Sequence, residues 1–124
     1  MGVEDYELVE VETRGEWRRW LAENHATSPG AWLVSWKRVT GKPAVGYDES
    51  VEEALCFGWI DSLQRSVDAE RTRQLFTPRR ARSNWSRSNR DRVERLLAAG
   101  LMEPAGLAAV EAAKERGAWP AADP

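Results

Sequence analysis

The sequence predicts an α+β fold: a small, mostly antiparallel sheet of three to four strands packed by about four helices. Apolar residues recur at helical spacing in four segments, and short β-branched or aromatic segments lie between them. Two of the short segments are close enough to form a hairpin, which favours a mixed architecture. With 124 residues the chain can bury one core, so we predict a single domain over residues 1–117 and a loose C-terminal tail over 118–124, from which Trp119 could dock onto the domain.

Local patterns near the N-terminus predict the first two elements. Residues 8–12 alternate apolar and acidic side chains, which indicates a short strand or an extended arm. Thr13 and Glu16 have the spacing of a capping box, so a helix should begin there and run over about 14–24. His25 stands where that helix should end, and a helix cap or a contact with water suits it better than catalysis.

Residues 31–37 predict the next strand because they are rich in β-branched and aromatic side chains. Trp32, Val34 and Trp36 alternate along it and should share one face. Three bulky side chains on one side predict a central strand whose bulky face lies under helices.

The most hydrophobic run of the chain, residues 53–61, predicts the end of a buried helix followed by a strand. Asp48 is a suitable N-cap for this helix, and the apolar spacing carries it to about Trp59. Gly58 would then lie inside the helix, at a cost of roughly 1 kcal/mol relative to Ala. Close approach of another backbone would explain such a glycine, and Asp61 follows as a polar residue beside the apolar run.

The second half of the chain predicts a hairpin and two helices. Residues 63–67 and 73–77 have strand character on either side of a turn. Residues 83–86 supply caps for a helix that runs to about Ala99. Pro104 is suited to the first turn of a last helix, because its missing N–H has no partner there in any case.

The chain has one cysteine and one histidine, which removes several classes of site. A single Cys excludes an internal disulfide and a zinc cage of CxxC pairs, and a single His argues against a His-based metal centre or a Ser-His-Asp triad. We therefore predict no metal and no cofactor. No segment reaches the roughly 18 apolar residues of a membrane span, and the acidic first twelve residues do not resemble a signal peptide. We expect no membrane insertion and a cytoplasmic location.

Residues 65–95 form a cationic segment in a chain whose net charge is −2. The segment holds ten Arg, no Lys and four acidic residues. Arginine suits bidentate capture of carboxylate or phosphate and stacking on aromatic rings. One interpretation is nucleic-acid binding, with Arg on phosphates and aromatic rings on bases; the acidic pI of about 5.5 argues against it. The other is an ordinary solvated surface.

A candidate ligand site follows from placing the polar motifs on the predicted elements. The end of the helix near Trp59, the loop after the hairpin and the start of the third helix should converge on one concave site. The start of a helix offers free backbone amides and positive dipole character to an anion, and the tryptophans could stack on a planar group. The predicted ligand-binding residues are Trp59, Asp61, Arg79, Ser83, Trp85, Ser86 and Asn89.

Structural interpretations compete with this site. Asn89 falls on the apolar stripe of its helix and could tie down the backbone of the hairpin, because a buried amide needs partners. Asp61 could cap a helix or pair with an arginine such as Arg79; as a desolvated general base it would point to an enzyme, which we consider the less favoured class. Exposed tryptophans would suit a protein partner, although core packing accounts for most of the seven Trp.

Several motifs of the chain resemble the bacteriocin-protection family described as YdeI or OmpD-associated (OmdA-like). The residues that carry the resemblance are 53–61, 76–79, 83–86 with Asn89, and 100–102 with Gly106, together with Trp20, Leu21 and residues 32–37. The resemblance implies a link to bacteriocin protection or stress resistance and to an outer-membrane porin. It implies no assigned catalytic residues. The combined prediction is a non-catalytic binding module for a small anionic or planar ligand, with nucleic-acid binding through residues 65–95 as the alternative.

Overall fold

One mixed four-stranded sheet and four helices make up the chain in a computed structural model, which describes residues 5–80 and 84–119. The strands lie in the order β1-β2-β4-β3. The prediction of an α+β fold is confirmed. In chain order the elements are β1 (Glu7–Glu10), α1 (Arg14–Asn24), β2 (Ala31–Trp36), α2 (Tyr47–Cys56), β3 (Trp59–Ser66), β4 (Arg71–Pro78), α3 (Arg87–Ala98) and α4 (Pro104–Glu115).

The sheet combines one parallel pair with two antiparallel pairs. Strand β1 runs parallel to β2, and α1 forms the crossover between them. Strand β4 pairs antiparallel with both β2 and β3, so β2 and β4 are the central strands. The predicted hairpin is present and is longer than expected, because β3 begins at Trp59, directly after α2.

The two ends of α1 follow the sequence pattern. The Thr13 side chain accepts a hydrogen bond from the Glu16 N–H, and the Glu16 carboxylate accepts one from the Thr13 N–H. Each bond satisfies an amide that the helix itself leaves unpaired. His25 is the C-cap residue, and both its N–H and its Nδ1 atom lie 2.8 Å from Leu21 O.

The helices pack against the inner face of the sheet. On β2 this is the opposite face from the predicted one, which carries the bulky residues. Ala31 and Leu33 belong to the main core with Trp17 of α1, whereas Trp32 and Val34 are buried outside that cluster. The prediction was wrong because the smaller residues of β2 leave room for the large aromatic rings that α1 and β4 contribute. On the outer face, the Arg73 guanidinium lies 4.1 Å from the centre of the Trp32 ring.

Helix α2 is shorter than predicted. Its N-cap is Gly46 rather than Asp48, and it ends at Cys56 instead of reaching Trp59. Gly58 has a φ of 76°, a left-handed conformation that ends the helix and that glycine adopts without steric cost. A Cβ atom on Gly58 would lie 3.0 Å from Ala105 O. The close backbone approach expected at Gly58 is therefore present, at a helix end instead of a helix interior.

Aromatic rings fill the centre of the core. The rings of Trp17 and Trp20 stack with centroids 5.5 Å apart, Trp17 tilts against Phe76 at 5.1 Å, and Trp20 meets the edge of Trp59 at 5.8 Å. Trp17, Trp59 and Phe76 are at most 1% exposed. These contacts join α1 to the ends of β3 and β4.

A buried carboxylate joins α1 to α2. Glu53 is only 4% exposed, and its two oxygens accept hydrogen bonds from Arg14 Nε at 2.8 Å and Arg18 Nη1 at 2.9 Å. A buried charge is tolerated only when it is paired in this way. Glu53, the first residue of the hydrophobic run, thus holds two helices in register.

The last described residues pack against the domain. The Ala118 N–H donates to Ala113 O at 2.8 Å, and the Trp119 ring lies 5.1 Å from the ring of Trp85. Ala118 and Trp119, assigned to the tail from the sequence, therefore contact the core. The remainder of that tail lies outside the described residues.

Candidate ligand-binding site

The helices cover one end of the inner sheet face and leave the other end open. At the covered end Ala31, Trp59 and Phe76 are buried under α1 and α2. At the open end the sheet lies beside the loop of residues 37–46, and a cavity of about 750 Å³ separates the two. A cavity of this size is within the range that small-molecule sites occupy.

The floor of the cavity is a polar patch of the sheet. Leu33 of β2 pairs with Gln74 of β4, which pairs with Gln64 of β3. In the next row, Ser35 pairs with Thr72. These side chains share the inner face with Phe76 because alternate residues of a strand point to the same side. Amide and hydroxyl groups therefore occupy positions on central strands where apolar residues are usual.

A bulge in β3 brings Gln64 to this floor. Asp61 pairs with Phe76 and Gln64 pairs with Gln74, so β3 has one more residue than β4 between these pairs. Without the extra residue, strand alternation would place Leu63 on the inner face. Bulges commonly re-aim side chains in this way, and here the change exchanges an apolar side chain for an amide.

The loop of residues 37–46 gives the cavity a basic wall. Lys37, Arg38 and Lys42 line it, and no Asp or Glu is among the lining residues. The Lys42 ammonium lies 3.9 Å from the centre of the Trp36 ring and 3.9 Å from a carboxylate oxygen of Glu70 outside the cavity. Lys37 donates to Ser66 Oγ at 2.8 Å.

Arg38 makes fewer polar contacts than the other two cations of the cavity wall. It lies in a short 3-10 turn, Arg38–Thr40, and is exposed. Within residues 5–80 and 84–119 its side chain has no ion pair or hydrogen bond. A guanidinium with free donors is available to bind a carboxylate or a phosphate in bidentate fashion.

Tyr47 marks the boundary between the cavity and the predicted site. Its ring lines the cavity and is 56% exposed, and its hydroxyl donates to Asp61 Oδ2 at 2.8 Å. Partial burial raises the pKa of the Tyr47 hydroxyl, and the hydrogen bond to the Asp61 carboxylate raises it further. Asp61 thus holds the orientation of a ring at the cavity mouth.

None of the six predicted residues that the structure describes lines this cavity. Trp59 is 1% exposed and packs edge-on against Trp20, so its ring belongs to the core. Asp61 has no ion pair with Arg79 in the described part of the chain; its hydrogen-bond partner is Tyr47. Ser83 lies outside the described residues.

Arg79 and Trp85 are in direct contact. The Arg79 guanidinium lies 3.6 Å from the centre of the Trp85 ring, and its Nη2 atom donates to Asn84 O at 3.1 Å. Burial lowers the pKa of Arg79 to about 10, and the charge of Asp61 partly opposes that decrease. This contact joins the end of β4 to the start of α3 and occupies the Trp85 face that a ligand would need.

Ser86 and Asn89 form the first turn of α3. Ser86 is the N-cap, and its Oγ accepts from the Asn89 N–H at 3.1 Å. The Asn89 side chain accepts from Arg92 Nη1 at 3.0 Å, and Arg92 Nη2 donates to Asp48 at 2.6 Å. Arg92 therefore connects Asn89 to the start of α2, and among the described residues no hydrogen bond joins the Asn89 side chain to the hairpin.

The arginines of residues 65–95 are divided among several surfaces. Arg71 pairs with Asp68 and Glu10 beside the outer face, and Arg79 stacks on Trp85. Arg92 and Arg95 pair with acidic residues of α2. In the described part of the chain, the segment is not a single basic stripe.

Neither a group of metal ligands nor a membrane-spanning helix is found within residues 5–80 and 84–119. Over these ranges no three His, Cys, Asp or Glu side chains are grouped as metal ligands would be. In the same ranges, each helix is too short or too polar to cross a bilayer.

A family comparison matches residues 9–109, which is most of the chain. The matching family is described as a domain of unknown function, DUF8412. The chain belongs to this family. The resemblance to the YdeI or OmpD-associated family is therefore corrected: the match is to DUF8412. Comparisons of this DUF8412 chain with curated proteins and with solved structures give no match.

Sequence reasoning missed the lining residues of the cavity in this DUF8412 domain. A signal for them exists in β4, where Thr72 and Gln74 alternate with outward-facing residues and precede the buried Phe76 on the same face. Polar residues in phase with a buried aromatic indicate a strand whose inner face changes from core to cavity. The basic residues at positions 37, 38 and 42 carry no such periodic signal, since they lie in a loop.

Proposed function

We propose that this DUF8412 domain is a binding module for a small anionic or planar ligand, which occupies the cavity between residues 37–46 and the open end of the sheet. The observation that supports the proposal is the lining of the cavity. Three cationic side chains, two aromatic rings and several amide and hydroxyl groups line it, without a carboxylate.

The charge of the lining favours an anion over a cation. Lys37, Arg38 and Lys42 are among the lining residues and no acidic side chain is, so the charged side chains that line the cavity all attract a carboxylate or phosphate. Partial enclosure strengthens that attraction relative to open solvent, because less water screens the charges. Trp36 and Tyr47 add apolar ring surface for a planar group.

We propose binding in preference to catalysis because of the kinds of side chain in the lining. No His, Cys, Asp or Glu lines the cavity, and general acid–base catalysis most often uses His or a carboxylate. The hydroxyls of Ser50 and Thr72 have no adjacent general base in the lining to activate them.

The proposal can be tested by titrating the ¹⁵N-labelled protein with benzoate and inorganic phosphate at low ionic strength and following amide chemical shifts. We expect the largest changes at the cavity, with weaker binding at higher salt. Replacing Lys37 and Arg38 together with Gln should weaken benzoate binding by about tenfold, because charge-assisted hydrogen bonds are lost.

The matched control is Arg19→Gln, which removes an arginine on α1 that is 83% exposed and pairs with Glu23 away from the cavity. It should leave the affinity for benzoate unchanged. The proposal fails if the shifts cluster elsewhere, if neither anion shifts the cavity residues, or if Arg19→Gln weakens binding as much as the double substitution.

A further inference from the structure

The polarity of the cavity narrows the ligand class, and we infer that the ligand joins an anionic group to a planar group that carries N–H donors. This inference rests on the proposed binding function. The cationic side chains of the loop can only donate hydrogen bonds, and three other polar side chains of the lining present acceptors, so a ligand that satisfies both sets carries an anionic group and N–H donors.

Two hydroxyl groups that line the cavity, one on α2 and one on the floor, have already used their protons. Ser50 Oγ donates to Tyr47 O at 2.7 Å, and Thr72 Oγ1 donates to Arg65 O at 3.1 Å. A hydroxyl has a single proton, so each of these oxygens can offer a cavity ligand only its lone pairs. Both groups therefore act as acceptors toward the cavity.

Gln74 contributes a third acceptor. Its Nε2 atom donates to Leu63 O at 3.1 Å, and the carbonyl can only accept, which fixes the amide with nitrogen toward β3. The Oε1 atom is left as the acceptor of the side chain. Gln74 and Thr72 are two residues apart on the inner face of β4, so their acceptor atoms belong to one patch.

The charged side chains on the opposite side of the cavity can only donate. Lys and Arg side chains have N–H donors and no acceptor, and Lys37, Arg38 and Lys42 are all on the loop. An anionic group satisfies these donors but cannot donate to the acceptor atoms of Ser50, Thr72 and Gln74. An amino or amide N–H can donate to those acceptors but cannot neutralise the cations.

Shape favours a flat group between these two sides. The floor is a sheet surface of three neighbouring strands, and the exposed ring of Tyr47 stands at the side with its hydroxyl held by Asp61. A planar ring can lie against this floor with an N–H at its edge. The ligand class is thus an amino- or amide-substituted planar molecule with a carboxylate or phosphate group.

Two probes that differ at one group can test the inference: 4-aminobenzoate and 4-methylbenzoate. They share the carboxylate and the ring, and amino and methyl groups are similar in size. The protein would be titrated with each probe and followed by amide chemical shifts. We expect 4-aminobenzoate to bind about fivefold more tightly, because a methyl group leaves the floor acceptors without a partner.

Substitutions at the floor should remove this preference without removing affinity for the carboxylate. Thr72→Val and Gln74→Met keep the shape of each side chain and delete its acceptor. In either variant the two probes should bind with more nearly equal affinity. Thr77→Val is the matched control, because it makes the same change on β4 at a residue that faces the outer side of the sheet, and the fivefold preference should persist there.

The outcomes separate the inference from the function on which it rests. Equal binding of the two probes at the cavity overturns the donor requirement and leaves anion binding intact. A preference that persists in both floor variants also overturns it, because the acceptors would then lie elsewhere. If neither probe shifts the cavity residues, the inference and the proposed function both fail.

Discussion

Phe76 and Gln74 lie two residues apart on the same central strand, face the same side of the sheet and have opposite surroundings. Phe76 has no exposed surface and packs against Trp17 of α1. Gln74 is half-buried and lines a cavity of about 750 Å³. The helical layer reaches over the first residue and stops before the second.

The difference shows how one sheet face can carry both a stabilising core and a polar surface that stability does not require. At the covered end, each buried apolar side chain stabilises the fold by roughly 1.5–3 kcal/mol. At the open end, half-buried amides and hydroxyls gain little from folding, because water can satisfy them equally well in the unfolded chain. Groups that the fold does not need for stability are free to be selected for a ligand.

The largest expected effect is the difference in lost stability between a substitution at the covered end of the sheet and one at the open end. Phe76→Ala should lower the free energy of unfolding by about 3–5 kcal/mol, because it leaves a cavity under Trp17. Gln74→Ala should cost about 1 kcal/mol or less, since only an exposed hydrogen bond is lost. Urea unfolding followed by tryptophan fluorescence measures both. Similar losses for the two variants would mean that the open end is part of the core.

A smaller effect is expected where α4 closes the covered end. A Cβ atom on Gly106 would overlap the carbonyl oxygen of Cys56, so Gly106→Ala should force α4 away from α2 and cost about 1–3 kcal/mol. Gly15→Ala in α1 is the control, because its Cβ would meet nothing closer than 3.9 Å.

For Gly15→Ala we expect a gain of roughly 0.5–1 kcal/mol from helix propensity. Thermal unfolding of both variants measures these changes in stability. A gain for Gly106→Ala would show that α4 is not held against the C-terminal end of α2.

The smallest effect is expected at Tyr47, where the two ends meet. The pKa of its hydroxyl is raised in the folded state by partial burial and by Asp61, so its hydrogen bond stabilises the protein fully below about pH 10 and is lost as the pH rises through the folded-state pKa. Tyr47→Phe should cost about 0.5–1 kcal/mol at neutral pH. The cost should shrink toward zero at high pH.

A difference titration of phenolate absorbance, wild type minus Tyr47→Phe, would give the midpoint for Tyr47 directly. A midpoint at or below about 10 would contradict the contact with Asp61. Tyr6→Phe, on the other tyrosine, should leave that difference curve unchanged.

The elements with strong periodic patterns could be predicted from the sequence. The capping box of Thr13 and Glu16, the Ser86 cap and Pro104 at the start of α4 each specify a helix start by local chemistry. The side of β2 that faces the helices could not be predicted this way. Both faces of that strand are apolar, and the choice depends on which side leaves space for Trp17, a contact between distant parts of the chain.

The end of α2 shows a second limit. Trp59 is in phase with the apolar face of the helix, so periodicity alone extends α2 through Gly58. Only the proximity of Ala105 and Gly106, roughly 50 residues later in the sequence, shows that Gly58 must turn the chain. A glycine that serves a backbone contact and a glycine that ends a helix look the same in one sequence.

The candidate site was predictable only in part. Sequence motifs drew attention to Asp61 and Arg79, and the structure places Asp61 one hydrogen bond from the cavity through Tyr47. Gln64 could not be found, because its position depends on a bulge that no local motif marks. The resemblance to another family rested on motifs rich in Trp, Gly and Asn; in this chain these residues make packing and capping contacts, which different families can share.

Cys56 allows local opening near the contact between α2 and α4 to be measured. Its thiol is fully buried, and that burial raises its pKa. A thiol reagent can therefore react only after the structure around the thiol opens. The carbonyl of the same residue accepts the Glu103 N–H at 3.0 Å, just before α4 begins. In a chain with a single cysteine, the labelling rate therefore reports how often the packing around this end of α2 opens. The labelling rate of Cys56 thus measures local opening of the native state. If a ligand at the open end of the sheet slows this labelling, then binding there also stabilises the covered end.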